Sequence, residues 1–411
     1  MWDVCSERHV RMKQKATSLF IIFAMCSIAF SGCTETFASN QPPEISLKIS
    51  PNGAIKAEET ITFDASATID RDGDTLVFLW DFDDSDGIQR EESGSEVTWE
   101  YNIEGTYVVT LTVEDGQFSQ TKTTEIEVIP KDSVRPEADA GSRMGIDDCD
   151  GEETSDSSRE FYLYFICEEK ENNDREIDAT IDILLDGSAS GHDDPNHYLS
   201  KYEWDLDVNF DADGDGDATN DVDATGETYT WKDRAPGKWE VQLTVTDDRG
   251  LKDSDEVTVY VNYVGEWTDF TVGRNVSGGD PTLEFEYNAV YEESPSANRV
   301  KSISFELTYE KKDPDGSAFG TVATDQNLDI YVYNKTKEPK DVANTSSDTP
   351  EQRQGGANFE CDTENDFCVL EQISGSYHVK KYYPGPWSAE IFNTEQNEAD
   401  VKKFTIRITF K

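Results

Sequence analysis

The feature that most constrains the fold is a pattern that occurs twice. The first copy reads FDASATIDRDGDTLVFLWDFDD and then GTYVVTLTVEDG, and the second reads LDGSASGHDDPNHYLSKYEWDLD and then GKWEVQLTVTDDRG. Trp80 precedes Leu111 by 31 positions and Trp204 precedes Leu243 by 39, so the second copy is eight residues longer. Most of the chain alternates apolar and polar residues with a period of two, which predicts strands with one buried face. We therefore predict an all-β protein with repeated β-sandwiches.

These repeats resemble PKD domains, immunoglobulin-like sandwiches of prokaryotic surface proteins. The resemblance rests on Asp64-Ala-Ser66, on Trp80-Asp-Phe82 with its counterpart Trp204-Asp-Leu206, and on the paired Gly105–Val113 and Gly237–Val245 segments. It implies tandem immunoglobulin-like β-sandwiches that act as a stalk. The segment after Tyr263 resembles the jelly-roll modules found C-terminal to secreted proteases, called pre-peptidase C-terminal domains.

The expected organisation divides the 411 residues into five parts. They are a signal peptide of lipoprotein type (1–32), a tether (33–42), a first PKD-like domain (43–130), a second (134–262) and a C-terminal β-sandwich (263–411). The second domain contains an inserted segment from about Ile146 to Asn173, interpreted as a hairpin at the sheet edge. Basic residues followed by an apolar run indicate a secretory signal. The run ends in Phe30-Ser-Gly-Cys33, which resembles the lipobox of prokaryotic lipoproteins and implies that Cys33 is lipidated.

The cysteines fit a secreted protein. Four remain after Cys33, and the local pairings are Cys149 with Cys167 and Cys361 with Cys368. Zinc binding by these four is the alternative, but no CxxC pair supports it. We expect two structural disulfides and an extracellular protein anchored to the membrane by lipid.

The strongest candidate site is an acidic loop in the second repeat, where the eight extra residues fall. Its aspartates are predicted to bind Ca²⁺ because alternate carboxylates repel one another without a cation and the glycines permit a tight turn. The predicted metal ligands are Asp211, Asp213, Asp215, Asp217, Asp221 and Asp223. A solvated acidic loop is the alternative. Asp70, Asp72 and Asp74 form a second candidate, with turn chemistry as its alternative.

The net charge of the chain limits the classes of partner that it can bind. The formal net charge is −50, which excludes a nucleic-acid partner because phosphates require a basic surface. Tyr382, Tyr383 and Trp387 form a possible aromatic platform for a sugar, although loop aromatics more often cover a core.

No motif of a hydrolase or metalloprotease occurs, so we expect no catalytic activity. The predicted function is a calcium-stabilised stalk that presents a β-sandwich to a cell-surface or matrix protein or glycan. The alternative is a polysaccharide- or protein-binding accessory to extracellular polymer degradation.

Overall fold

The chain folds into β-sandwiches along its described length, as the alternation predicted. The computed structural model describes residues 40–142, 149, 161–212, 214, 217–293, 298–311, 326–334, 341–344 and 365–410, with the backbone alone at 341–344. Within these residues, helix is confined to a π-helical turn at Gly375–Val379 and the short α1, Lys380–Tyr382. No helix of these segments is long and apolar enough to cross a membrane.

The first unit is a sandwich of two sheets. Its strands are β1 (Lys48–Ser50), β2 (Ile55–Lys56), β3 (Thr60–Asp64), β4 (Val77–Asp81), β5 (Glu92–Ser93), β6 (Glu96–Glu100), β7 (Gly105–Glu114) and β8 (Ser119–Ile129). One sheet has the order β1-β3-β6 and the other β2-β8-β7-β4-β5. Trp80 is fully buried between them and lies opposite Leu111 of β7.

The second unit repeats this arrangement with an added strand. Its strands are β9 (Phe161–Lys170), β10 (Ile181–Asp186), β11 (Leu199–Asp205), β12 (Ala224–Thr225), β13 (Thr228–Arg234), β14 (Gly237–Asp247) and β15 (Lys252–Val272). Trp204 is fully buried and lies opposite Leu243, the counterpart of the Trp80–Leu111 pair. The indole N–H of Trp80 donates to Gly94 O and that of Trp204 to Gly226 O, both at 2.9 Å. The two repeats therefore share the same Trp–Leu core contact, although its two residues are eight positions further apart in the second repeat.

The third unit completes the described part of the chain. Its strands are β16 (Thr282–Ala289), β17 (Ser302–Glu310), β18 (Leu328–Asn334), β19 (Asp341–Asn344), β20 (Asp366–Ser374), β21 (Gly385–Asn393) and β22 (Ala399–Thr409). A four-stranded sheet of order β16-β21-β18-β19 faces strands β22, β17 and β20.

The second and third units share one sheet and one hydrophobic core. The 21-residue strand β15 pairs with β14 through Lys252–Val261 and with β22 through Tyr263–Val272. The predicted boundary between residues 262 and 263 thus falls inside a continuous strand. Buried side chains from Ala140 to Phe410 form a single cluster, whereas the first unit has its own.

The inserted segment supplies a parallel strand, where a hairpin was expected. β9 pairs with β15 from Thr258 to Trp267, and this stretch is also paired with β14 and then β22. Since each strand has two edges, β14 and β22 follow one another along one edge, and β9 covers the junction from the other. Four successive residues of β9, Phe161–Tyr164, are buried, as in strands covered on both faces.

Candidate functional site

The acidic loop connects β11 to β12, as the spacing of the repeats predicted. Asp211, Asp217, Asp221 and Asp223 are among the described residues, whereas Asp213 and Asp215 lie outside them. The Asp223 N–H donates to Trp204 O at 2.9 Å, so the end of the loop is attached to the strand that carries the core tryptophan. The site is therefore built directly on the core geometry that the two repeats share.

Three of the predicted metal ligands bind backbone of the loop or of its base. Asp211 Oδ1 accepts a hydrogen bond from Gly214 N at 2.6 Å, and Asp221 Oδ2 accepts one from Ala212 N at 2.7 Å. Asp223 Oδ2 accepts from Leu206 N at 2.8 Å. These bonds shape the loop by side-chain capping of backbone donors.

The fourth, Asp217, is paired with a cation from the first unit. Lys48 Nζ lies 2.9 Å from Asp217 Oδ1, and the same oxygen accepts hydrogen bonds from the Thr219 backbone and hydroxyl. Burial alone would raise the pKa of Asp217, but the bonds from Lys48 and Thr219 outweigh it and lower that pKa. A lysine ammonium thus neutralises part of the loop.

One carboxylate that the sequence analysis did not single out is Asp205, at the end of β11. It is 3% exposed, its Oδ1 accepts from Asp207 N at 3.0 Å, and its Oδ2 has no hydrogen-bond partner among the residues that the structure describes. Burial raises the pKa of Asp205 to about 7, and repulsion from Asp223 and Asp221 adds to this. The W-D pair of each repeat is the signal that could have identified it.

The described carboxylates do not converge on one point. Among the residues that the structure describes, no group of three or more His, Cys, Asp or Glu side chains is placed to hold a metal ion. The second candidate has the geometry of a turn: Asp70 Oδ1 accepts from the backbone N–H groups of Asp72 and Asp74 at 2.9 and 3.1 Å. The Asp72 side chain accepts from Gln41 N at 2.6 Å.

The cysteine predictions are confirmed where the structure describes them. Cys149 and Cys167 form a disulfide, which ties the start of the inserted segment to its strand β9. Cys368 is also disulfide-bonded, and its predicted partner Cys361 lies outside the described residues. The predicted lipidation site Cys33 lies outside them as well.

The aromatic platform is not assembled as one surface. Trp387 is fully buried and donates its indole N–H to Tyr383 O at 2.9 Å, so it belongs to the core and cannot stack on a sugar. Tyr383 is 52% exposed, and Lys381 Nζ lies 4.7 Å from the ring centre of the half-buried Tyr382. Trp387 therefore fits the alternative interpretation, in which a loop aromatic covers a core.

Comparison with known families agrees with the repeat geometry. Residues 40–129 match the family described as PKD domain, and residues 172–261 match a second family whose description also reads PKD domain. The second match begins after most of the inserted segment and ends within β15.

Curated relatives include two collagenases. Collagenase ColQ1 of Bacillus cereus is 29% identical over 116 residues, which is 28% of this chain and 11% of the relative. Collagenase ColA of Clostridium perfringens is 23% identical over 318 residues, or 75% of this chain and 24% of the relative. The chain thus spans a quarter or less of the length of either collagenase.

Among solved structures, the PKD1 domain of Vibrio anguillarum Epp is 28% identical, with a TM-score of 0.17, and covers 22% of this chain and 99% of its own. The paired Trp–Leu registers and the two family matches point to the same assignment. The chain contains two PKD domains, at residues 40–129 and 172–261, within an all-β fold.

Proposed function

We propose that this protein is a non-catalytic extracellular binding protein in which PKD domains carry a C-terminal β-sandwich toward its partner. The observation that carries the proposal is the pair of PKD matches together with the strand β15, which continues from the second unit into the third. A continuous strand with a shared core holds the third unit in a fixed orientation. A partner, either a surface or matrix protein or a glycan, would then meet a preorganised surface.

An extracellular location is supported by the disulfides. Disulfides such as Cys149–Cys167 persist in oxidising compartments. The chain also matches PKD domains, which occur on prokaryotic surface proteins. We also propose that Cys33 carries the lipid anchor that the N-terminal sequence predicts. Mass spectrometry of the mature N-terminus would find a lipidated Cys33, and an unmodified cysteine there would contradict the anchor.

We further propose that Ca²⁺ binds the acidic loop and stabilises the second PKD domain. The support is Asp205, whose buried Oδ2 has no hydrogen-bond partner among the described residues, and the density of aspartates from Asp211 to Asp223. Burial raises the pKa of Asp205 and repulsion from Asp223 and Asp221 adds to it, so a cation beside these carboxylates would favour their charged forms. A bound Ca²⁺ would be coordinated by oxygen atoms of the loop, which would replace water molecules of its hydration shell.

Thermal unfolding in millimolar Ca²⁺ and in chelator tests this proposal. At about a hundred times its dissociation constant, a ligand of the folded state adds roughly 2.7 kcal/mol. We expect a higher midpoint in Ca²⁺ that the Asp213→Ala and Asp215→Ala double variant abolishes. The matched control is Glu104→Ala with Glu125→Ala, two exposed carboxylates of the first repeat that lie outside both candidate sites. An equal midpoint in both buffers would leave the loop as a solvated insertion.

The alternative function is an accessory to extracellular polymer breakdown. It is favoured by the relatives that are named collagenases, which share only this portion of their length with the chain. Binding of the intact chain to insoluble collagen, to insoluble polysaccharides and to whole cells separates the two functions. An unrelated protein of similar net charge is the control.

Retention on an isolated polymer would support the accessory role, and retention on cells alone would support adhesion. If the intact chain is retained on none of these materials, in Ca²⁺ and at low salt, the proposed binding function is wrong.

A further inference from the structure

A groove runs along the outer edge of β8, between the first and second units. It consists of two adjoining cavities of about 180 and 350 Å³, which share Ile49, Asn52 and Thr124 as lining residues. The smaller cavity follows Lys122–Thr124 and the larger one follows Thr124–Glu127. At about 3.4 Å per residue, this part of β8 forms one side of a groove about 17 Å long.

The main-chain groups on this edge of β8 are available for pairing. β2 pairs with the last two residues of β8 alone, and Ala57 N donates to Ile129 O at 2.9 Å, so Ile129 directs its carbonyl toward the outer edge. Alternate residues of a strand direct their main-chain groups to the same edge, and the register between β7 and β8 contains no shift. Thr123 and Glu125 therefore present N–H and C=O groups to the groove, where no described residue pairs with them.

The second unit forms the far wall of the groove. Beside the smaller cavity, Lys48 Nζ lies 2.9 Å from Asp217 Oδ1 and donates to Thr219 Oγ1 at 3.1 Å. Beside the larger cavity, Ala54 N donates to Gly250 O at 3.0 Å. The two units therefore meet next to each cavity and leave a space between these contacts.

The charges of the lining are balanced. Among the described residues that line the two cavities, three are basic and three are acidic, namely Lys122, Lys201, Lys252, Asp217, Glu125 and Glu127. Lys48 pairs with Asp217, and Glu203 lies 3.9 Å from Lys252 Nζ, which adds one charge of each sign. The lining thus selects neither an anion nor a cation. None of these lining residues is aromatic, so a sugar ring would find no stacking surface.

The two sides of the groove differ in polarity. In the far wall, Thr246 is 6% exposed, and its Oγ1 has no hydrogen-bond partner among the described residues. A buried hydroxyl without a partner costs free energy, which a polar group of an occupant would recover. The half-buried Ile49 lies in both cavities and offers apolar surface. An extended chain with alternating apolar and polar side chains matches both sides.

We propose that this groove binds an extended, uncharged segment of a partner protein, which adds to β8 as an edge strand. The main chain of the segment would pair with Thr123 and Glu125, while its apolar side chains contact Ile49 and its polar side chains face the second unit. Strand addition needs unpaired main-chain groups along a sheet edge, and the β8 edge presents them. This site lies between the first and second units and is separate from the partner surface proposed for the third.

The test is the fluorescence anisotropy of a labelled heptapeptide, in which threonine and valine alternate, titrated with the intact chain. We expect saturable binding, and at least about tenfold weaker binding of the same peptide N-methylated at its three central residues. The methyl groups block both edges of the peptide, keep its side chains and leave the protein unaltered. Thr123→Pro removes an N–H from the groove and should weaken binding of the unmethylated peptide to a similar degree.

The matched control is Ser119→Pro, which makes the same kind of change on the same edge of β8 outside the groove and should leave binding within about twofold. Equal affinity for the two peptides, equal loss in the two proline variants, or no binding at all would overturn the proposal. So would dimerisation of the chain that Thr123→Pro abolishes, since that would assign the edge to a second copy. Tighter binding, in high salt, of a heptapeptide with lysine in place of threonine would also overturn it and assign the groove to a basic segment.

Discussion

At the scale of single residues, the clearest consequence of burial is at Glu371 of β20. Burial raises the pKa of Glu371 to about 7, well above that of an exposed glutamate. The folded chain therefore keeps a proton that the unfolded chain releases above about pH 4.5. A group that binds more protons in the folded state makes stability fall as pH rises, here from about pH 4.5 to about pH 7.

The variant Glu371→Gln tests this dependence because it is neutral at every pH. We expect its unfolding midpoint at pH 8 to exceed that of the parent by about 2–4 °C, which corresponds to about 1 kcal/mol in a unit of this size. At pH 4 the two proteins should unfold together. Thermal scans across this range measure both, with Glu125→Gln on an exposed face of β8 as the control. A constant difference at all pH values would contradict the titration of Glu371.

At the scale of elements, β9 explains how the inserted segment contributes to the fold. Tyr263 of β15 donates its hydroxyl to Glu168 Oε2 at 2.8 Å, and Trp267 donates its indole N–H to Asp174 O at 2.8 Å. These bonds join the third unit's part of β15 to the inserted segment and to the residue that follows it, while the disulfide ties β9 to Cys149. The inserted segment therefore reinforces the junction between the second and third units.

Removing the disulfide with Cys149→Ser and Cys167→Ser should weaken this reinforcement of the junction. The loss expected for a loop of this length is about 3 kcal/mol, because the unfolded chain gains freedom. Hydrogen exchange should then quicken in β14 and in β22, on both sides of the junction. β7 of the first unit is the internal control and should exchange at the parent rate. Faster exchange in β14 alone would show that β9 serves only the second unit.

The repeats and their core contacts could be predicted from the sequence, whereas the junction could not. Trp80 and Trp204 repeat within alternating strands, and their burial follows from that pattern. Val261–Gly265 of β15 are buried on both faces, so alternation is lost where the two units join. The boundary predicted after residue 262, where the repeat resemblance ends, falls within this stretch.

The acidic loop shows the same limit of sequence-based prediction for a site. Its aspartates and its position in the second repeat could be predicted from spacing. Lys48, which pairs with Asp217, lies 169 positions away in the sequence, and only the contact between units brings the two together. Long-range partners of this kind leave no local pattern.

At the scale of the whole molecule, polar contacts and a small apolar cluster join the first unit to the second. Arg135 Nη2 lies 2.7 Å from Glu59 Oε2, and its Nη1 donates to Lys252 O at 3.2 Å. Ala54 N donates to Gly250 O at 3.0 Å, beside the cluster of Ala54, Ile129 and Leu251. This contact is far smaller than the core shared by the second and third units. The first unit should therefore be the one that moves.

The half-buried Arg135 binds both sides of this contact, so Arg135→Ala should release the first unit. We expect a larger radius of gyration and a broader distance distribution in small-angle scattering, with the unfolding midpoint of the joined second and third units unchanged. Lys131→Ala is the matched control because the exposed Lys131–Glu58 pair stays on the side of the first unit. If Arg135→Ala scatters like the parent while Ala54→Asp does not, the apolar cluster holds the junction and the arginine is dispensable.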